Sequence, residues 1–226
     1  MQNTSVDKIA FVYYKLIGKS NPMRHFIINY PIQKMHKIFA QSLLMEWIKL
    51  ENIITLVGGA YSAEINLNRG ANCISLRNAE YDAKILREPD YSTKLDNPYL
   101  YGMPILYPVN RIKNGNFVFE NRKYSFPINE PKTNCHIHGF VHETQFDAVQ
   151  VNESCVNCRY EGQYADCKQK FRIELYYEIS DKGLLQKTTI TNLSDKNMPN
   201  FLGFHTTFNV PFANSSDAKN IRVRVD

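Results

Sequence analysis

From Ile53 onward, apolar and polar positions alternate with a period of two over much of the chain. "FRIELYYEIS" sets Ile173, Leu175, Tyr177 and Ile179 on one face, "DKG" turns the chain, and "LLQKTTITNL" alternates again. Successive side chains of a strand point to opposite faces, so this pattern predicts two half-buried strands joined as a hairpin. "IITLVGGAYSAEINLN" is rich in β-branched residues and is broken by Gly58 and Gly59. "NFVFENRKYSFPI" reads as two more strands around a turn near Asn121 and Arg122. Short alternating runs separated by turns predict an all-β fold, a large antiparallel β-sandwich or barrel. Nothing in the pattern alternates strands with helices as a parallel sheet would require.

The N-terminal part follows another period. "KMHKIFAQSLLMEWI" places Met35, Ile38, Phe39, Leu43 and Trp47 at helical spacing, which predicts one amphipathic helix leading into the β body. The expected division is therefore a short helical extension over residues 1–44 and one sandwich domain over residues 45–226, with Met45 as a second plausible start. At 226 residues the chain is long enough for one large domain. The apolar run "IAFVYY" is too short for a secretion signal and is followed at once by Lys15. No stretch reaches the roughly 18 apolar residues of a membrane span. The sequence reads as cytoplasmic, with no membrane partner.

Charge changes the picture of partners. The chain holds 27 Lys and Arg against 22 Asp and Glu, a net +5. All of that excess falls in residues 1–44, where Lys8, Lys15, Lys19, Arg24, Lys34 and Lys37 face Asp7 alone. The remaining body is balanced, so it carries no electrostatic footprint for a phosphate backbone, and no nucleic acid is expected as a partner. With 14 Tyr and 13 Phe the chain is aromatic-rich and globular.

Two groups of residues could carry chemistry. "NCHIHGFVHE" gathers His136, His138 and His142 in a chain with six histidines. Imidazole can bind a metal, carry a proton near neutral pH, or simply sit in a core. "CVNC" supplies Cys155 and Cys158, with Cys167 nearby and Cys135 as an imaginable fourth ligand of a structural zinc. The usual second Cys-X-X-Cys is absent, and an odd count of five cysteines without a secretion signal favours free thiols.

The neighbours of the histidines carry a resemblance. "GMPILYPVNRI" with Arg111, the hairpin over residues 115–129, "IHGF" with His138 before Gly139, and "TNLSDKNMPNFLGFHTTFNVPF" with His205 occur in one order. Together with "NIITLVGGAYSAEINLNRGANCISLRN", this set resembles the aldose 1-epimerase (galactose mutarotase) family from about residue 47 to the end of the chain. The resemblance implies a galactose mutarotase-like sandwich that binds a hexose such as galactose or glucose on one sheet. It implies interconversion of α and β anomers without a metal or organic cofactor.

Ring opening needs one group to take the anomeric hydroxyl proton while another protonates the ring oxygen. Carried over by position, His205 is the acid for the ring oxygen, His138 hydrogen-bonds the sugar near it, and Arg111 donates to ring hydroxyls through its planar fork. His136 and His142 receive no role, and Arg111 could instead pair with a carboxylate on a neighbouring strand. The family also uses an aspartate and a glutamate base from strands that follow the second histidine, beyond Asp226. The terminal "KNIRVRVD" alternates as an interrupted strand, so the expectation is a shortened chain that lacks the base and leaves mutarotation of glucose or galactose near the uncatalysed rate. Two other readings stand beside the epimerase: a non-catalytic carbohydrate-binding relative or inactive fragment, and a zinc-stabilised β protein centred on CVNC.

Overall fold

The computed structural model describes residues 8–13, 26–31, 52–90, 98–164, 166, 169–222 and 224. By contacts the chain divides into two compact units, Met1–Glu51 and Asn52–Asp226. In the first unit, β1 (Lys8–Tyr13) pairs antiparallel with β2 (Phe26–Pro31), two strands that the sequence pattern had not revealed. The expected helix at residues 34–48 lies outside the described residues.

The second unit opens with a four-stranded antiparallel sheet in the order β3-β4-β5-β6, formed by Ile53–Gly58, Tyr61–Asn66, Asn72–Asn78 and Ala83–Lys84. Gly58 and Gly59 make its first turn possible. A Cβ on Gly58 would lie 2.5 Å from the Ile179 carbonyl oxygen, and Gly59 takes a left-handed φ of 60°. Three short strands, β7 (Ile105–Leu106), β8 (Arg111–Lys113) and β9 (Asn116–Phe119), lead to β10 (Arg122–Ser125) and β11 (Cys135–Ile137). The turn between β9 and β10 falls on Glu120 and Asn121, both left-handed, so Arg122 already belongs to the returning strand. That is one residue earlier than the expected turn.

A second four-stranded antiparallel sheet, in chain order, consists of β12 (Asp147–Val151), β13 (Cys155–Tyr164), β14 (Gln169–Ser180) and β15 (Gly183–Asn192). Phe171, Ile173, Leu175, Tyr177 and Ile179 of β14 are all buried, as the alternation predicts. They share one core with Leu56, Ala63, Ile65, Cys73 and Leu76 of the first sheet. The Tyr177 hydroxyl crosses between the layers to donate to the Ala71 carbonyl at 2.8 Å. Burial of an aromatic body with its polar tip satisfied makes such a residue a strong anchor between sheets. The described residues between 52 and 222 thus form a β-sandwich of antiparallel sheets.

β13 also disposes of one arrangement of the cysteines. Cys155 and Cys158 stand three positions apart on a single strand, so their sulfurs leave opposite faces. Cys158 joins the core beside Tyr177, and burial pushes its thiol up to about 12. A zinc knuckle needs the two thiolates on one side of a turn, which this strand does not provide. Cys167 lies outside the described residues, among which no three of His, Cys, Asp and Glu gather to hold a metal ion.

After β16 (Gly203–Phe204) the chain runs through turns to a short 3-10 helix, Ala218–Asn220. Asp217 caps it by accepting from the Lys219 backbone N–H at 3.0 Å. Ile221 and Arg222 then follow outside any strand, where the alternating "IRVRV" had predicted one. The Arg222 guanidinium turns back onto the carbonyls of Lys219 and Ile221 instead of facing a partner strand.

Candidate functional site

One segment, residues 104–111, organises the site by hydrogen-bonding both histidine segments. Its Pro104 carbonyl accepts from the His205 N–H at 3.1 Å, and β7 pairs with β16 through Leu106↔Gly203 and Ile105↔Phe204. Its Tyr107 carbonyl accepts from Phe140 N–H at 3.3 Å, and its Asn110 carbonyl accepts from His138 N–H at 3.2 Å. The segment continues into β8, where Arg111 lies opposite Ile137 of β11. His138 and His205, far apart in sequence, are therefore hung from the same stretch of backbone.

The turn after β11 explains the His-Gly pair. His138 has φ of 63° and Gly139 φ of 67°, two left-handed residues in succession. Such a conformation is uncommon for a side-chain-bearing residue and persists where surroundings enforce it. Gly139 is required twice over, because a Cβ there would lie 2.0 Å from the Tyr107 carbonyl oxygen. A 3-10 turn over Val141–Glu143 follows and buries His142 to 7% exposure.

The result is an aromatic cluster. The rings of His138 and His205 stand 5.8 Å apart at 74°. Tyr99, in a 3-10 turn over Pro98–Leu100, contacts His138 at 4.9 Å, His142 at 5.8 Å and His205 at 5.8 Å between ring centroids. His136, by contrast, is a core residue. It is 3% exposed, stacks on Phe126 at 5.0 Å, and its Nδ1 lies 2.7 Å from the Pro127 carbonyl oxygen.

Arg111 joins the cluster through its charge. Its Nε and Nη2 donate to the two carboxylate oxygens of Glu130 at 2.6 and 2.8 Å, a bidentate pair that fixes the guanidinium plane. The carboxylate-paired alternative for Arg111 is thus realised, and Nη1 remains outside that pair. Glu130 also accepts from the Thr133 hydroxyl, and these hydrogen bonds, that of Arg111 first, pull its carboxyl down to about 2. His138 is held below the ordinary imidazole value by burial, then by the nearby His205, His142 and Arg111, with Glu130 opposing. Burial lowers His142 as well, against the opposing pull of Glu143. His138 and His142 are consequently neutral at pH 7, able to accept or to donate one hydrogen bond at each ring nitrogen.

Of the residues singled out in the sequence, Arg111, His138 and His205 come together, while His136 does not. Tyr99, Glu130 and His142 are the members that sequence reasoning did not assign. Glu130 follows two residues after the "FPI" of a quoted motif, but nothing in the spacing of "NPYLYG" singles out Tyr99.

A family model described as aldose 1-epimerase matches residues 52–226. A galactose mutarotase-like protein from Clostridium acetobutylicum is 34% identical with a TM-score of 0.66, over 73% of this chain and 53% of that one. A galactose mutarotase-like protein from Lactobacillus casei is 25% identical with a TM-score of 0.57, over 70% of this chain and 50% of that one. An aldose epimerase homologue from C. elegans, 17% identical over 70% of this chain and 50% of that one, shares the fold with a TM-score of 0.56. The chain belongs to the aldose 1-epimerase family. It spans about half the length of these solved relatives. No helix among the described residues is long and apolar enough to cross a membrane.

Proposed function

We propose that the protein is an aldose 1-epimerase, binding a hexose such as galactose or glucose and interconverting its anomers by ring opening. The observation that carries this reading is the meeting of His138 and His205 at 5.8 Å from two distant segments of the chain. His205 is the acid that hands a proton to the ring oxygen and retakes it after the carbonyl carbon has rotated, while the anomeric hydroxyl gives its proton to solvent water and regains one from it on closure. His138, kept neutral by its surroundings, hydrogen-bonds the sugar beside that oxygen and steadies the opened form. Arg111, with its plane set by Glu130, directs its remaining N–H groups at ring hydroxyls. Residues 45–226 are the sugar domain in this reading and residues 1–44 an extension. A cytoplasmic location agrees with the free, buried Cys73, Cys135, Cys155 and Cys158.

Polarimetry on a freshly dissolved α-anomer tests the proposal. Acceleration by the purified chain that is lost in His205→Asn is the expected result, and a chain that binds sugar but stays near the uncatalysed rate would be the non-catalytic carbohydrate-binding relative instead. Saturable sugar binding that weakens in Arg111→Ala is expected alongside it. A chain that neither accelerates equilibration nor binds sugar would overturn the reading.

A further inference from the structure

We propose that Tyr99 is a positioning residue of this site, the ring against which His138, His142 and His205 are set, and that it fixes the mutual angle of the two imidazoles offered to the sugar. The functional meaning rests on the epimerase reading, whereas the geometry is independent of it.

An imidazole in a working site is normally held in orientation by a hydrogen bond at its second nitrogen, to a carbonyl or a carboxylate. His136 in this chain is held in that way, with its Nδ1 2.7 Å from the Pro127 carbonyl oxygen. His138 and His205 are not. The Nδ1 atom of each is buried and has no hydrogen-bond partner among the described residues. Their orientation must therefore come from ring packing, and Tyr99 is the ring that touches both. It meets His138 edge-on at 4.9 Å and 68°, and His205 at 5.8 Å and 59°. His142 takes the third side at 5.8 Å and 78°, so the tyrosine is wedged among three imidazoles. Near-perpendicular aromatic pairs at these separations are attractive and angle-dependent, because ring edges and faces carry opposite partial charge. A wedge of this kind sets angles as a hydrogen bond would. It leaves Nδ1 of His138 and of His205 without a carbonyl or carboxylate partner competing for its proton.

Two substitutions separate ring from hydroxyl. Tyr99→Phe keeps the ring, and Tyr99→Leu removes it. In the unmodified full chain, nuclear Overhauser contacts are expected from the Tyr99 ring protons to the imidazole protons of His138, His142 and His205. Loss of the ring current in Tyr99→Leu should shift the resonances of those three histidines together and leave His136 in place. Sugar turnover in that variant should fall roughly tenfold to a hundredfold, the cost of a misplaced reacting group, with KM changing less than kcat. Tyr99→Phe should restore both the resonances and the rate. Absence of the contacts in the unmodified chain, or unmoved histidine resonances in Tyr99→Leu, would overturn the proposal. If Tyr99→Leu does not fold, the contacts in the unmodified chain and the response of Tyr99→Phe still decide it. A chain that has the contacts but shows neither binding nor turnover of sugar refutes the epimerase reading and leaves the three-imidazole wedge standing.

Discussion

The sheet β12–β15 and the site-bearing segments on either side of it, residues 99–146 and 198–205, are built from the same residue types under opposite rules. β14 pairs with β13 and β15 over ten residues on each side without a slip, and its inner face is apolar at every second position from Phe171 to Ile179. The site region uses strands of two to four residues joined by left-handed turns at Asn110, Asn114, Asn134, His138 and Gly139. Regular pairing satisfies the backbone and fills the core, but it points side chains only up or down. Irregular backbone aims them. The long sheet supplies the stability that lets the short segments hold unusual dihedrals.

Each part of that contrast can be broken separately. The largest effect is expected for Leu175→Ala in β14, a fully buried side chain, at about 2–5 kcal/mol of unfolding free energy. Urea denaturation measures it, and the histidine resonances of the folded variant should remain where they were. Gly139→Ala should cost at least about 1–3 kcal/mol for a left-handed residue without its glycine, with the shift of the Tyr107 backbone added to it. It should displace His138 and abolish sugar binding, since the new Cβ would meet the Tyr107 carbonyl. Calorimetry of unfolding and of galactose binding would separate the two consequences.

Acidification is the third way in. His138 and His142 have lowered affinity for protons in the folded state, so the unfolded chain binds more protons once pH drops below about 6.5. Glu130 behaves alike at lower pH, because its folded value of about 2 lies under the ordinary 4.5. Stability should therefore be complete above neutrality, decline below pH 6.5 as the histidines are driven to protonate, and decline further below 4.5. A urea midpoint that rises between pH 7.5 and pH 5 would contradict these directions. The smallest effect is expected for Arg172→Ala, which removes the exposed pair with Glu161 on the outer face of β13 and β14. Pairs of that kind contribute about 0–1 kcal/mol, weaker still in high salt.

Legibility followed the same division. Ile173, Leu175, Tyr177 and Ile179 could be placed on one buried face from the period alone, because successive side chains of a strand leave opposite faces and alternation therefore records locally which face is covered. The β9–β10 turn was readable to within one residue, since asparagine tolerates the left-handed region that a tight hairpin needs. Arg111, His138 and His205 were reachable only through an ordered set of motifs. No periodicity connects residues whose common neighbour is the backbone of residues 104–111. Tyr99 and His142 escaped because their meaning lies in ring angles, which depend on tertiary approach. The expected strand at 221–226 failed at Ile221 and Arg222 for a related reason: alternation describes a willing strand, and a strand needs a neighbour to pair with.

The long reach of the β7–β16 pairing has a consequence for how the protein is born. Hairpins such as β3–β4 and β14–β15 join neighbours in sequence and can close as soon as they leave the ribosome. Leu106, by contrast, must wait for Gly203. Closing so wide a loop is entropically slow, and the nascent chain carries His138 in its strained turn long before His205 exists. During that interval the segment that will organise the site is an unpaired edge, open to any other extended strand in the cell. The site is thus completed late in synthesis, after both four-stranded sheets have emerged, and chaperone protection matters most in the interval between β11 and β16.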